Sequence, residues 1–144
     1  MYKRQALDDA ETETAALRSA PVTCGPEELL VDVLVRLSSG GYGCVLVADR
    51  KRCGAPLELV GVFTDGDLRR RLGAEKTTCM RRRMAELCSR RCRTIARDAD
   101  AADAARAMAP ENGAKVSFLP VTQDEHSKTL VGIVTLNALV KAGL

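Results

Sequence analysis

Hydrophobic positions along the chain follow two periods in a fixed order. A stretch with apolar residues every three to four positions is typical of an amphipathic helix, and two continuous apolar runs of strand length follow it before a second helical start. Leucine and valine supply most of these positions. The predicted segments are a helix at 27–37, strands at 44–48 and 57–63, and a helix at 65–72.

The same order returns 71 residues further along the chain. Gly-Ile-Val-Thr at 132–135 repeats Gly-Val-Phe-Thr at 61–64 at that distance. The repeated unit is therefore β-α-β-β-α, and the predicted fold class is α/β (α+β). The second set of predicted segments comprises a strand at 93–95, a helix at 98–109, strands at 116–121 and 130–134, and a helix at 136–144.

Each half of the repeat holds about 55 to 60 residues, a length at which a domain alone is only marginally stable. We therefore expect the halves to pack pseudo-symmetrically and to leave a cleft between them. The predicted domains are a first half at 18–83, which includes a basic connecting segment, and a second half at 84–144. Residues 1–17 are rich in Glu, Ala and Thr and are predicted to be a linker or tail, partly of non-native sequence.

Composition narrows the class of protein. Of the 144 residues 46% are hydrophobic, which is normal for a globular chain, and the lack of Trp leaves the core to aliphatic side chains. No apolar run approaches the roughly 18 residues of a membrane span, and no signal peptide is recognisable. Six cysteines without a secretory signal indicate reduced thiols, so we expect an intracellular, cytoplasmic protein with no membrane partner.

Positive charge is concentrated in one segment. The net charge is only +3, but residues 69–97 hold eleven Arg or Lys and just two acids, Glu75 and Glu86. This basic belt could serve nucleic acid, anionic ligands or an acidic partner, or simply be a solvated face. Because it has no interleaved aromatic residue for base stacking, nucleic acid is not expected as a partner.

The most specific chemistry lies where the second predicted strand ends, in Thr64-Asp65-Gly66-Asp67. Backbone N–H groups at the following helix start can hold phosphate, and the carboxylate of Asp67 could accept hydrogen bonds from a ribose. The same Thr64-x-x-Asp67 pattern fits an acidic capping box, which only stabilises the helix. Asp65 with Asp67 could bind Mg²⁺ only if phosphate oxygens completed the shell. Capping and ligand binding are compatible, and both interpretations stay open.

The second copy of this corner is reduced. Thr135 matches Thr64, but Ala138 stands at the position of Asp67. No carboxylate can therefore hold a ribose in the second copy, and at most one competent nucleotide-type site is expected.

Neither a catalytic constellation nor a metal site is predicted. His126, the single histidine, lies in a polar loop and is expected to be solvated. Cys88 and Cys92, with Cys79 upstream, include no paired Cys-x-x-Cys. They are interpreted as small apolar side chains or exposed thiols rather than metal ligands.

These patterns carry a family resemblance. Two β-α-β-β-α units, each with Gly-x-x-Thr before its last helix, resemble a tandem pair of cystathionine-β-synthase (CBS) domains, or Bateman module. Gly-Val-Phe-Thr-Asp-Gly-Asp-Leu-Arg-Arg at 61–70 resembles the first CBS repeat at the C-terminus of D-arabinose-5-phosphate isomerases. Ser-Phe-Leu-Pro-Val at 117–121 and the closing run at 131–144 are similar to plant-type members. The resemblance covers residues 18–144.

The resemblance implies a regulatory module without catalytic activity of its own. In arabinose-5-phosphate isomerases the chemistry belongs to a sugar isomerase (SIS) domain that precedes the CBS pair, and this sequence contains no such domain. The implied partners are the module's own SIS domain in a full-length parent of Kdo biosynthesis and further copies in a homo-oligomer.

The resemblance also implies a small-molecule nucleotide effector and no required cofactor. The expected ligand is an adenine or cytidine nucleotide or a nucleotide-sugar, with Thr64 near phosphate and Asp67 on ribose. Val22 and Ile95 would flank a base, and Thr135 would form half a site. Two alternatives are a purely structural or dimerisation module with no ligand, and an isomerase active without the usual domain.

Overall fold

The computed structural model describes residues 18–110 and 116–143, and the predicted tail at 1–17 lies outside them. No helix in these ranges is both long enough and apolar enough to cross a membrane. In chain order the elements are β1 (Thr23–Cys24), α1 (Leu30–Ser39), β2 (Cys44–Asp49), β3 (Glu58–Thr64), α2 (Asp65–Glu75), a 3-10 helix (Lys76–Arg81), α3 (Met84–Leu87), β4 (Ile95–Ala96), α4 (Ala101–Met108), β5 (Phe118–Thr122), β6 (Leu130–Thr135) and α5 (Leu136–Lys141).

The first compact unit, Pro21–Cys92, is built on a three-stranded sheet in the order β1-β2-β3. β1 runs parallel to β2, and β2 pairs antiparallel with β3, so that Cys44 lies opposite Thr64. β2 is a continuous apolar run because it is buried over almost its whole length. The core of this unit includes Leu30, Val33, Val45, Phe63, Cys79 and Met84.

The second unit contains Arg93–Leu144 and repeats this sheet in the order β4-β5-β6. β4 is parallel to β5, and β5 pairs antiparallel with β6, with Phe118 opposite Thr135. The predicted duplication is thus present in the strand pairing itself. The core of this unit includes Ile95, Ala101, Ala104, Leu119, Val121, Val134 and Leu139.

The segment that leads into each half pairs with the closing strand of the other half. Ser19 forms an antiparallel bridge with Ile133 of β6, and Ser89 forms one with Val62 of β3. Residues 18–20 therefore group with the second unit and residues 84–92 with the first. The predicted domains at 18–83 and 84–144, their pseudo-symmetric packing and the cleft between them stay predictions.

In each of these bridges the residue on the closing strand directly follows a glycine. The N–H of Ser89 donates to the carbonyl oxygen of Val62 at 2.8 Å, and the N–H of Val62 donates back at 2.9 Å. A Cβ atom on Gly61 would lie 2.6 Å from the carbonyl oxygen of Ser89 and 2.8 Å from the Sγ of Cys88. At Gly132 a Cβ would lie 3.3 Å from the carbonyl oxygen of Ser19, in the segment that leads into the first half. The Gly-x-x-Thr pattern therefore contains glycine because another backbone approaches the strand closely.

α1 begins three residues later than the helix predicted at 27–37. The carboxylate of Glu28 accepts hydrogen bonds from the N–H of Gly25 at 2.7 Å and from both terminal nitrogens of Arg36 at 2.8 and 2.5 Å. Because this closure forms a turn, Pro26 lies in that turn and not in the helix. α4 likewise begins after the predicted residue 98, since Asp100 is its N-cap.

Two short elements were missed because they lie inside the basic belt. The 3-10 helix and α3 occupy 76–87, where the sequence predicted no helix or strand. Cys79, Met84 and Leu87 are buried in the core of the first unit. Three apolar residues spaced among arginines give too weak a periodic signal to predict these two elements.

We expect Gly61→Ala to lower the free energy of unfolding by about 1–3 kcal/mol, because the added methyl group overlaps the backbone at Ser89. Gly73→Ala is the matched control. Gly73 lies within α2 with nothing near its absent side chain, so alanine should raise stability by about 0.5–1 kcal/mol. Urea unfolding of both variants measures the difference. Equal stability of the two variants would contradict the close approach.

We also expect the contribution of Glu28 to stability to depend on pH. The bidentate hydrogen bonds from Arg36, followed by the bond from Gly25, lower the pKa of Glu28 from 4.5 to about 2. Because the folded pKa lies below the unfolded one, the stabilisation is complete above about pH 4.5 and is lost as the pH falls towards 2.

The measurement compares the wild type with Glu28→Gln. Since Glu28 is partly exposed, we expect a difference in unfolding free energy of about 1 kcal/mol at pH 7. The difference should shrink below pH 4.5. Glu58→Gln, which removes only an exposed pair with Lys51 at 3.7 Å, should change little at any pH. A difference for Glu28→Gln that is unchanged at pH 2 would rule out the ion pair as its source.

Candidate functional site

The corner between β3 and α2 is an acidic capping box. Thr64 is the N-cap, and its Oγ1 accepts a hydrogen bond from the N–H of Asp67 at 3.1 Å. The Oδ2 of Asp67 accepts from the N–H of Thr64 at 2.9 Å. This pair satisfies two backbone donors that the helix start would otherwise leave unpaired. The predicted capping role is confirmed, and it uses only one of the two carboxylate oxygens of Asp67.

The second carboxylate oxygen of Asp67 is paired with an arginine one helical turn further on. Arg70 donates from Nη2 to Oδ1 of Asp67. The Asp67 side chain is 20% exposed, whereas the Arg70 side chain is 72% exposed. The carboxylate is therefore fixed by the cap, while its cationic partner lies largely in solvent and is free to take another conformation.

A cavity of about 390 Å³ opens beside this pair. α2 supplies one wall, and the end of α3 with the two residues after it supplies the other. The volume falls within the range of small-molecule pockets in proteins. The cavity is lined by Asp67, Arg70, Arg71, Ala74, Leu87, Cys88 and Ser89.

The wall formed by Leu87, Cys88 and Ser89 was not predicted as part of a site. It reaches α2 because Ser89 is hydrogen-bonded to Val62, two residues before the cap. Burial raises the pKa of the Cys88 thiol, so this group presents a neutral surface to the cavity at physiological pH. The one signal in the sequence was Gly61, which indicated close approach of another backbone but not which one.

The second arginine of the cavity is held more firmly than Arg70. The Nη1 of Arg71 donates to Glu75 at 2.9 Å, and Glu75 also accepts from Arg82 at 2.8 Å. Hydrogen bonds from Arg82 and then Arg71 hold the pKa of Glu75 below its ordinary value. Arg71 thus carries a fixed positive charge on the wall.

Two further arginines of the basic belt, Arg82 and Arg83, are paired with acids in the same way. Arg82 also contacts Glu86 at 3.2 Å, and Arg83 bridges Glu86 and Glu27 at 3.2 and 2.9 Å. These pairs join the two residues between the 3-10 helix and α3 to α3 itself and to the turn before α1. Part of the belt is therefore a network of ion pairs within the first unit.

Asp65 lies at the same corner but faces another part of the unit. Its N–H donates to the carbonyl oxygen of Gly43 at 3.0 Å, and its carboxylate would lie 3.2 Å from a Cβ on that glycine. It does not line the Asp67 cavity. The structure therefore does not bring Asp65 and Asp67 together as the joint Mg²⁺ ligands that the sequence allowed.

The two residues predicted to flank a base are packed into separate cores. Val22 packs against the core of the first unit, and its carbonyl oxygen accepts from the N–H of Leu46 at 2.9 Å. Ile95 is 7% exposed in the core of the second unit. Neither lines the Asp67 cavity, and their contact with a base stays a prediction.

The corner between β6 and α5 has only one of the two hydrogen bonds that form the capping box at Thr64. Thr135 is the N-cap, and its Oγ1 accepts from the N–H of Ala138 at 3.1 Å. Because Ala138 has no carboxylate, the reciprocal bond of the capping box is missing. Its role as half a binding site stays a prediction.

The histidine and the buried cysteines do not form a further site in the part of the chain that the structure describes. The side chain of His126 is exposed, as predicted. Burial raises the pKa values of Cys24 and Cys44 to about 12, so both thiols stay protonated. Within 18–110 and 116–143, no group of three or more His, Cys, Asp or Glu side chains is arranged to hold a metal ion.

Comparison with known proteins identifies both halves of the chain. The CBS domain family matches residues 15–74 and 84–144. An uncharacterised protein of Chlamydia muridarum is 35% identical over 121 residues, which cover 84% of this chain and 35% of that protein. Arabinose 5-phosphate isomerase KdsD of Francisella tularensis is 29% identical over 83% of this chain and 33% of its own length. The chain therefore spans about a third of the length of the curated relatives it matches.

Several solved structures have the same fold. The CBS-domain containing protein ATU1752 from Agrobacterium tumefaciens has a TM-score of 0.72 at 18% identity, covering 94% of this chain and 92% of its own. The CBS domain pair of protein MJ0100, in complex with 5′-methylthioadenosine and S-adenosyl-L-methionine, has a TM-score of 0.71 at 21% identity over 90% and 94%. CBSX2 in complex with AMP has a TM-score of 0.68 at 22% identity over 90% and 94%.

Proposed function

This chain belongs to the CBS domain family, and we propose that it is a regulatory module that binds a nucleotide in the Asp67 cavity. One observation carries the proposal. The acidic residue of the Thr64-x-x-Asp67 corner keeps a carboxylate oxygen outside the cap, and it does so on the wall of a cavity of about 390 Å³. A residue whose only role was to cap α2 would not need such a space beside it.

The chemistry of the lining supports a nucleotide as the ligand. Cys88, with the buried Leu87 beside it, gives an apolar side of the cavity for a base, and Asp67 gives an acceptor for ribose hydroxyls. Arg70 and Arg71 are suited to a phosphate group. The structural relatives that hold 5′-methylthioadenosine, S-adenosyl-L-methionine or AMP support an adenosyl compound. Cytidine nucleotides and nucleotide-sugars are the other candidates.

We further propose that the parent protein is an arabinose-5-phosphate isomerase-like enzyme. The likeness to the isomerase of Francisella tularensis and the signature run at 61–70 support this assignment. In such a protein the catalysis belongs to an SIS domain, and the present chain is not itself the enzyme. A ligand in the cavity would alter the catalytic domain only if its affinity differed between two states of the whole protein.

Self-association is the other role that we propose for the module. Val31 and Val35 on α1 are 48% and 70% exposed, and Val140 on α5 is 59% exposed. Large aliphatic side chains in solvent at helical spacing suit contact with a second copy. A purely structural module would have this property and no ligand, which the binding experiment distinguishes.

Asp67→Ala is the direct test of the binding proposal. We expect calorimetric titration with AMP, ATP, CMP and CMP-Kdo to detect at least one ligand for the wild type, and Asp67→Ala to weaken its binding. The variant should also lose about 1 kcal/mol of stability, because the capping box is broken.

Asp103→Ala is the matched control. Asp103 forms the equivalent capping box with Asp100 at the start of α4, and it does not line the cavity. It should lose a similar amount of stability and keep full affinity. If no ligand binds at millimolar concentration, the module is structural. If a ligand binds but Asp67→Ala binds it as the wild type does, the assignment of binding to the Asp67 cavity is wrong.

Val35→Asp tests the self-association. We expect the wild type to sediment as a dimer or larger species at micromolar concentration, and the variant to shift towards the monomer because a charge replaces an exposed apolar contact. Sedimentation of the wild type as a monomer over the whole concentration range would exclude this role.

A further inference from the structure

Arg70 occupies an unusual position, because it neutralises the acceptor that the proposed function requires. Its Nη2 donates to Oδ1 of Asp67, the carboxylate oxygen that the cap leaves unused. A sugar hydroxyl approaching Asp67 from the cavity therefore meets an oxygen whose negative charge is already shared with a guanidinium group. The strength of a charge-assisted hydrogen bond depends on that charge, so the pair weakens Asp67 as an acceptor.

The pair can open without disturbing the fold. The Arg70 side chain is 72% exposed, and its partner is the neighbouring turn of the same helix, so the interaction is a surface pair of low net strength. Asp67 stays in place when the arginine moves, because its Oδ2 is held by the N–H of Thr64 at 2.9 Å. Arg71, by contrast, is tied to Glu75.

A phosphate group is the ligand feature that would move Arg70. Arg70 lines the cavity, and its guanidinium can exchange a single carboxylate oxygen for the bidentate contact that phosphate offers. The fixed charge of Arg71 on the same wall adds to the attraction. Once Arg70 has turned to the phosphate, Oδ1 of Asp67 recovers its full charge for the ribose hydroxyls. Phosphate binding and ribose binding are thereby coupled through one side chain.

We propose that Arg70 is a specificity-determining residue that makes the Asp67 cavity select 5′-phosphorylated nucleosides over uncharged nucleosides. The inference rests on the proposed function, since it assigns the ligand class of the same site. It differs from that proposal in giving the selectivity to a residue outside the Thr64-x-x-Asp67 corner. An uncharged nucleoside binds weakly because it must share Asp67 with Arg70 and has no phosphate group with which Arg70 could pair instead.

The experiment measures the affinities of AMP and adenosine for the wild type, Arg70→Ala and Arg70→Lys by calorimetry. We expect the wild type to prefer AMP by about tenfold or more, which one charge-assisted contact can supply. Arg70→Ala should bind AMP more weakly and adenosine as well as or better than the wild type, because Asp67 is released. Arg70→Lys keeps the positive charge but cannot make the bidentate contact of a guanidinium group. Its preference for AMP over adenosine should therefore lie between those of the wild type and Arg70→Ala.

Arg106→Ala is the matched control. Arg106 pairs with Asp103 of the capping box of α4 in the same three-residue spacing, and it does not line the cavity. It should leave both affinities unchanged. Retained binding of adenosine by Arg70→Ala also shows that this variant is folded.

The outcomes separate this inference from the proposed function. If the wild type binds AMP and adenosine equally, or if Arg70→Ala weakens both to the same extent, the role of Arg70 is wrong and the binding function stands. If neither compound binds the wild type at millimolar concentration while another nucleotide does, the affinities of that nucleotide and its nucleoside are compared in the same three proteins. The same results then support or overturn the role of Arg70. If no nucleotide binds, both proposals fail.

Discussion

The pair of backbone hydrogen bonds between Ser89 and Val62 is the interaction on which the candidate site depends. It brings a segment that follows α3 against β3, 27 residues earlier in the chain, and it can form only because Gly61 has no side chain. The end of α3 is thereby fixed opposite α2, and the space between them becomes a cavity with two walls. Without this pairing Asp67 would lie at an open helix start.

The second unit uses the same arrangement with a different result. Ser19 pairs with Ile133 beside Gly132, so the leading segment and closing strand meet as in the first unit. Thr135 still caps the following helix, but Ala138 offers no acceptor there. The two copies therefore share one backbone plan, but only the first has a carboxylate at the third position after the N-cap threonine. The binding proposal is made for that corner for this reason.

Asp67 connects the stability of the helix with the chemistry of the cavity. One oxygen closes the capping box and holds the carboxylate in a single orientation, while the other faces Arg70 on the cavity wall. A site held in place in this way loses little conformational entropy when it binds. The arginines around it are held to different degrees, since Arg71 is tied to Glu75 and Arg70 is mostly in solvent. That difference, rather than the amount of positive charge in the basic belt, is what gives the site its proposed selectivity.

The sequence alone determined the repeated β-α-β-β-α order, the capping pattern at Thr64 and the loss of the acid at Ala138. These follow from local periodicity and from short motifs, whose effects act within one or two turns of chain. The tandem CBS fold was implied by the resemblance of these motifs to that family. It did not determine that Leu87, Cys88 and Ser89 face Asp67, or that Val22 and Ile95 are packed into separate cores. The 3-10 helix and α3 were also missed. Only the tertiary structure decided these points, because contacts between segments twenty or more residues apart leave no periodic signal in the sequence. A glycine in a strand shows that another backbone comes close, but only the folded chain shows which backbone it is.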